Sequence, residues 1–210
     1  MRKEELEHLN YLINKLKTRE KELTKDKGSF ISSEVYNITT NDGHHIRREK
    51  LLKGGKDGSA VIIVPFVDND KVILCVEPRV FTKRTVGIGF PAGYIEGNEK
   101  GIIAAQRELY EETGLQGDLT YLGGFYQDSG ISSAYNQIFV GENLQGNGVQ
   151  HLDTDEYIYK FITDFNNLDY LLENDYINDC NALIAINKVK QYRRERKLWK
   201  NLMPKKLQKE

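Results

Sequence analysis

The chain of 210 residues is poor in the residues that mark special environments, with two cysteines, four prolines, two methionines and one tryptophan. Two cysteines far apart exclude a disulfide framework and a thiolate metal cluster. Cys75 in VILCVE and Cys180 in NDCNALIAI both have apolar neighbours, so both are expected to be buried thiols in a reducing compartment. No apolar run approaches the roughly 20 residues needed to span a bilayer. The opening MRKEELEHLN carries no apolar leader segment. These absences predict a cytoplasmic chain with no membrane partner. Also missing are an internal repeat, a Walker-type loop and a GxGxxG that opens a helix, which excludes P-loop ATPase and dinucleotide-dependent dehydrogenase readings.

What is present is charge, unevenly spread. The net charge is −1, yet residues 187–210 carry ten Lys/Arg and two Glu, while residues 28–186 carry twelve basic and twenty-three acidic residues. A basic tail on an acidic body reads either as a solvated terminal helix or as a polyanion contact such as RNA. Tyr192 and Trp199 within it are expected to anchor the helix by packing rather than to stack on bases.

Periodicity organises the rest. Leu6, Leu9, Ile13, Leu16 and Leu23 predict an amphipathic helix over 2–24, whose stripe needs cover from the domain body or from a second subunit. A hairpin is expected at 34–40 and 44–51 around Asn41-Asp42-Gly43; His44 and His45 then point to opposite faces and need no catalytic role. A second hairpin is expected between 59–67 and 71–77, whose arms AVIIVPFV and KVILCVE read as strands buried on both faces, with Pro65 marking a strand end. A Gly-rich passage fills 85–98 and a helix 99–113, ended by Gly114. Strands are expected at 119–127, 134–141 and 156–162, a loop at 142–155, a helix at 164–173 capped by Thr163 or Asp164, and a last helix from about 178. Alternating strand blocks and helices give an α/β fold with a mixed sheet. The chain divides into an N-terminal helical extension (1–30), a central domain (31–186) and a basic helical tail (187–210).

The chemistry concentrates in residues 93–115, GYIEGNEKGIIAAQRELYEETGL. Glu108, Glu111 and Glu112 stand at i, i+3 and i+4, so one helix face presents three carboxylates, while Ile102, Ala105 and Leu109 supply an apolar face. Like charges at this spacing repel and weaken an isolated helix. A hard divalent cation with oxygen ligands is the natural offset, Mg²⁺ first and Mn²⁺ second. The Gly-rich turn before the helix brings backbone carbonyls towards the same place.

The segment matches Gly-x5-Glu-x7-Arg-Glu-U-x-Glu-Glu-x-Gly-U, with U apolar, at all nine specified positions. A chance match in such a chain is on the order of 10⁻⁷ from average residue usage. The chain thereby resembles the Nudix hydrolases, and the resemblance implies an α/β/α sandwich with a mixed sheet and a catalytic loop–helix–loop. It implies that Glu108, Glu111 and Glu112 hold metal together with a backbone carbonyl of Ala92 or Gly93. It also implies that Glu99 pairs with Arg107 to brace the loop. Further likeness runs from about Glu34 to Ile186. Phe90-Pro91-Ala92-Gly93 resembles the Leu-Pro-Ala-Gly of ADP-ribose pyrophosphatases, and Glu77-Pro78-Arg79 resembles their Gln-Tyr-Arg, whose Arg contacts substrate. Tyr176–Leu183 resembles their closing segment, and the hairpin with Arg47-Arg48-Glu49 has a counterpart often used in dimer contact.

Two departures stand out: Asp128-Ser129-Gly130 replaces Ser-Pro-Gly, and Ala134 replaces an acidic residue. The resemblance places Ser129 and Gly130 at the substrate. Arg79 reads as a phosphate clamp or a surface charge, and Glu156 as the general base or part of a solvated acidic loop. The implied activity is hydrolysis of a nucleoside diphosphate linked to another moiety, ADP-ribose or another nucleotide sugar, by a homodimer. An RNA 5′-pyrophosphohydrolase and a nucleotide-sensing module that does not cleave are the competing readings.

Overall fold

The structure is a computed structural model that describes residues 1–24 and 28–202. The first elements are α1 (Lys3–Leu16), β1 (Ile31–Thr39), β2 (His45–Lys53), β3 (Ala60–Pro65), β4 (Lys71–Pro78), β5 (Val86–Gly89) and β6 (Ala92–Tyr94). They are followed by α2 (Gly101–Thr113), β7 (Leu115–Tyr126), β8 (Tyr135–Gly146), β9 (Tyr159–Asp164), α3 (Asn167–Glu173) and α4 (Cys180–Leu202).

The strands form three sheets. β6-β3-β8-β7 is mixed, with β3 and β8 parallel, while β5-β4-β9 and the hairpin β1-β2 are antiparallel. Side chains alternate along a strand, and β3 uses both of its faces. Val61 and Ile63 meet Ala104, Ala105 and Leu109 of α2. Ile62 and Val64 join Ile138 and Val140 against Ala182, Ala185, Ile186 and Val189 of α4. The mixed sheet is therefore covered by a helix on each side, which makes an α/β/α sandwich.

The hairpin expected between β3 and β4 does not form. β3 pairs with β6 and β8, β4 pairs with β5 and β9, and only the Phe66–Val72 bridge and the Val67 N–H to Lys71 carbonyl bond join their ends. Both arms are apolar on both faces and bond partners along both edges, so each sits at the centre of its own sheet. Pro65 ends β3.

Several boundaries shift for local reasons. α1 stops at Leu16, seven residues short of Leu23, which is exposed. Thr18 to Glu22 hold no apolar side chain, and the Thr18 N–H leaves the helix for Thr85 Oγ1 at 3.0 Å. Leu9, Leu12, Ile13 and Leu16 are buried in this chain's own core, on β4 and β9, so the stripe finds its cover within the domain. Thr163 and Asp164 stay in the β9 ladder opposite Val72 and Lys71, which delays α3 to Asn167. β8 runs on to Gly146, shortening the expected loop. Cys180 opens α4 and is exposed, against the expectation of burial, whereas Cys75 is buried.

The hairpin around Asn41-Asp42-Gly43 forms with Thr39 opposite His45, Gly43 at φ +86°, and both histidines exposed. In the tail, Tyr192 packs against the core and donates to Glu142; the side chain of Trp199 lies outside those described. No helix among the described residues is long and apolar enough to cross a membrane.

Candidate active site

Helix α2 is held to the sheet by the one face it buries. Ala104, Ala105 and Leu109 dock on β3 and β8. Glu108 and Glu112 lie on the same buried arc of the helix, 7% and 4% exposed, while Ile103, Gln106 and Tyr110 face solvent, so the carboxylate face is not the solvent face. Gly114 closes the helix in the left-handed region, φ +71°, and a Cβ there would meet the Val149 carbonyl at 2.3 Å. Glycine is thus required twice, by conformation and by close approach.

Arg107 braces the segment. One guanidinium nitrogen donates to the Tyr94 carbonyl at 3.0 Å and to Glu99 at 2.9 Å; the other donates to Glu108 at 2.8 Å and Glu111 at 3.0 Å. Burial opposes the Arg107 charge, but Glu99, Glu108 and Glu111 raise its pKa nonetheless. Its Nε is buried without a partner. Burial likewise works against the Glu99 charge, and the Arg107 hydrogen bond overcomes it, holding Glu99 below the usual carboxylate range.

The two buried glutamates behave in the opposite way. Burial pushes Glu108 up to about 7 against the pull of Arg107. Glu112 is raised well above its ordinary value, again by burial first, with only the Cys75 thiol, at 3.2 Å from Oε2, stabilising its charge by a hydrogen bond. Glu77, half-buried two residues after Cys75 on β4, is raised by desolvation and pairs with Arg79 at 2.7 Å. Cys75, Glu77 and Glu112 therefore form a second carboxylate layer that α2 alone did not disclose. The signal was the two-residue strand period from Cys75 to Glu77.

Glu77, Arg107, Glu108 and Glu112 line a cavity of about 640 Å³, shared with Ala92, Gly93, Glu111, Asp153, Glu156 and Asp179. Glu156 is exposed at its rim, its carboxylate accepting from the Asp153 N–H at 3.2 Å. Arg79 lines the same cavity. Ser129 and Gly130 do not; they are exposed in the 127–134 connection, which is tied to β2 by the Leu51 N–H to Ile131 carbonyl bond. A separate concavity of about 760 Å³ between the β3–β4 turn, β8 and α4 holds none of these carboxylates.

Among the described residues no three His, Cys, Asp or Glu side chains are gathered as metal ligands, because Arg107 draws Glu108 and Glu111 to itself. The donor set nevertheless suits a hard divalent cation. Three carboxylates share a helix face, and the two buried ones lack enough positive charge to keep their pKa values low. Gly93 lies so close that a Cβ would fall 1.9 Å from Glu108 Oε1, so backbone and carboxylate share one cradle.

Comparison with known proteins agrees with this geometry. The family described as the NUDIX domain matches residues 56–173. An ADP-ribose pyrophosphatase of Bacillus subtilis (strain 168) is 28% identical over 172 residues, covering 80% of this chain and 90% of that protein. A methanol dehydrogenase activator of Bacillus methanolicus is 25% identical over 162 residues, covering 76% and 84%. A crystal structure of an ADP compounds hydrolase superposes with a TM-score of 0.69 at 25% identity, covering 83% of this chain and 92% of that one. With fold, box and relatives in agreement, the chain belongs to the Nudix family and is a pyrophosphohydrolase of that family.

Proposed function

We propose that the enzyme hydrolyses a nucleoside diphosphate linked to a second moiety, with ADP-ribose or another nucleotide sugar as substrate, to give a nucleoside monophosphate and a sugar phosphate. The supporting observation is the convergence of the α2 carboxylates, Arg79 and Glu156 on one cavity of nucleotide size. The relatives named for ADP-ribose and ADP compounds support the substrate class.

In this reading Arg79 exchanges Glu77 for phosphate oxygens, which suit its two-pronged donor geometry. Glu156 accepts the proton of the attacking water. The water oxygen forms the new bond to phosphorus as the bridging P–O bond breaks. The leaving phosphate departs with that bonding pair. Arg107 keeps Glu99 and the 94–99 turn in place, and the apolar face of α2 fixes the direction of its carboxylates. Glu108, Glu111, Glu112 and the backbone at Ala92 or Gly93 would hold Mg²⁺, or Mn²⁺ in its place, which would supply neutralisation of phosphate charge and a more acidic water.

Mg²⁺-dependent release of AMP from ADP-ribose, set against dinucleoside polyphosphates, other nucleotide sugars and capped RNA, tests the assignment. Failure to turn over any nucleotide sugar sinks it, and preference for capped RNA hands the reading to the decapping alternative. We also propose a homodimer formed through the β1–β2 hairpin, because β1 is exposed at every position and carries Ile31, Val35, Tyr36 and Ile38. A monomer in sedimentation at micromolar concentration overturns that.

A further inference from the structure

The connection between β8 and β9, residues 147–158, carries Glu156, and it is bound to the end of α2 in an unusual way. The last carbonyls of a helix have no partner within it. Here three consecutive ones are taken, two by donors from this connection and one by a lysine at the start of β9. The Glu111 carbonyl accepts from the His151 N–H at 2.7 Å, that of Glu112 from Gln150 Nε2 at 2.8 Å, and that of Thr113 from Lys160 Nζ at 3.0 Å. The stacked rings of Tyr110 and His151, 4.7 Å apart, seal the same seam.

Gln150 differs from the other two donors. Its amide also donates to the Ile158 carbonyl at 3.3 Å. One side chain thus ties the backbone of a carboxylate residue, Glu112, to a buried residue two positions after Glu156. Lys160 caps the same helix, but its second partner is the Gly148 carbonyl, at the near end of the loop.

We propose that Gln150 is a positioning residue: its two-way bond closes the 150–158 loop on α2 and sets Glu156 at a fixed place relative to the Glu108/Glu112 face. The proposal rests on the reading of Glu156 as the base. A base displaced by about an ångström loses on the order of 10²-fold in rate. The loss should appear in kcat and leave substrate binding alone.

The test compares Gln150→Met, Lys160→Met and Glu156→Gln, with Gln150→Met also placed in the Glu156→Gln background, on ADP-ribose with Mg²⁺. The expected result is a 10- to 100-fold lower kcat for Gln150→Met with KM within about threefold, and no further loss when Glu156 is already Gln, since residues acting as one unit are not additive. Lys160→Met should lower Tm and keep kcat within about threefold. In the metal-free protein, Gln150→Met should speed amide exchange over 151–158 while leaving residues 104–109 protected. If Gln150→Met does not fold, Gln150→Asn, which keeps the donors one methylene short, takes its place.

A loss that adds in full to Glu156→Gln overturns the proposal, as does an equal kcat loss from Lys160→Met, which makes the effect ordinary helix capping. Unchanged kcat in Gln150→Met alongside a crippled Glu156→Gln removes Gln150 and leaves the base. Unchanged kcat in Glu156→Gln removes the base and the positioning role together, with the hydrolase assignment untouched.

Discussion

Helices α2 and α4 are both heavily charged, and they treat charge in opposite ways. On α4 the cations stay at the surface, and three of them are each paired with an acid: Lys190 with Asp169, Arg193 with Asp70 at 2.7 Å, Arg196 with Glu142 at 2.6 Å. Such partly exposed pairs each contribute at most about 1 kcal/mol. On α2 two of three glutamates are buried, and Arg107 is the one cation bonded to that face among the described residues. The more conspicuous run in the sequence is the basic tail, yet in its described part Lys190, Arg193 and Arg196 are pinned to acidic residues of the body. A charge run says little until its burial and partners are known; the expensive charge is the better candidate for function.

The sharpest way to break this contrast is Glu112→Gln. Shape is kept, and the amide oxygen can still accept from Cys75, so the melting temperature of the metal-free protein should stay level or rise. Turnover should fall 10²- to 10³-fold, the range for loss of one preorganised electrostatic group. Near-normal kcat at saturating Mg²⁺ would place Glu112 outside the site.

The pH dependence of metal-free stability separates the helices next. A carboxyl whose pKa rises on folding from the ordinary 4.5 to about 7, as that of Glu108 does, favours the folded state below the lower value. That advantage is lost as pH climbs through the window, because the folded form holds the proton longer. Denaturation of the chelated protein should show stability declining by up to about 3 kcal/mol between those values, and Glu108→Gln should flatten the curve. A profile rising over that interval contradicts the burial argument.

A smaller effect is expected from Gly93→Ala. The new methyl meets the Glu108 carboxylate, so Glu108 must leave its place, at about 1–3 kcal/mol of overpacking. Thermal unfolding and Mg²⁺ titration should both register it, and an unperturbed variant would mean that the cradle is loose. Smallest of all, Arg196→Met should cost under about 1 kcal/mol and leave turnover unchanged. A large kcat effect there would return the tail to the site.

Much of this protein is written locally. Glu108, Glu111 and Glu112 share a helix face because of i, i+3, i+4 spacing. Gly114 ends α2 because the chain needs positive φ there, and Asn41-Asp42-Gly43 turns a hairpin through the same preference. The alternation of Val61 and Ile63 with Ile62 and Val64 already demanded cover on two sides. Spacing and turn chemistry act within a few residues, and sequence displays them directly.

What only the tertiary structure decided involves partners distant along the chain. β3 bonds β8 rather than β4, α1 ends where its apolar stripe meets no more surface, and Cys180 is exposed because α4 begins there. Glu112 becomes a buried acid only when β4 brings Cys75 and Glu77 beneath it, and Glu156 lines the same cavity from a loop that is hydrogen-bonded to the end of α2. Desolvation depends on the sum of everything packed around a group, and no local pattern contains that sum. So the identity of the charged face was legible in the sequence, and its energetic state was not.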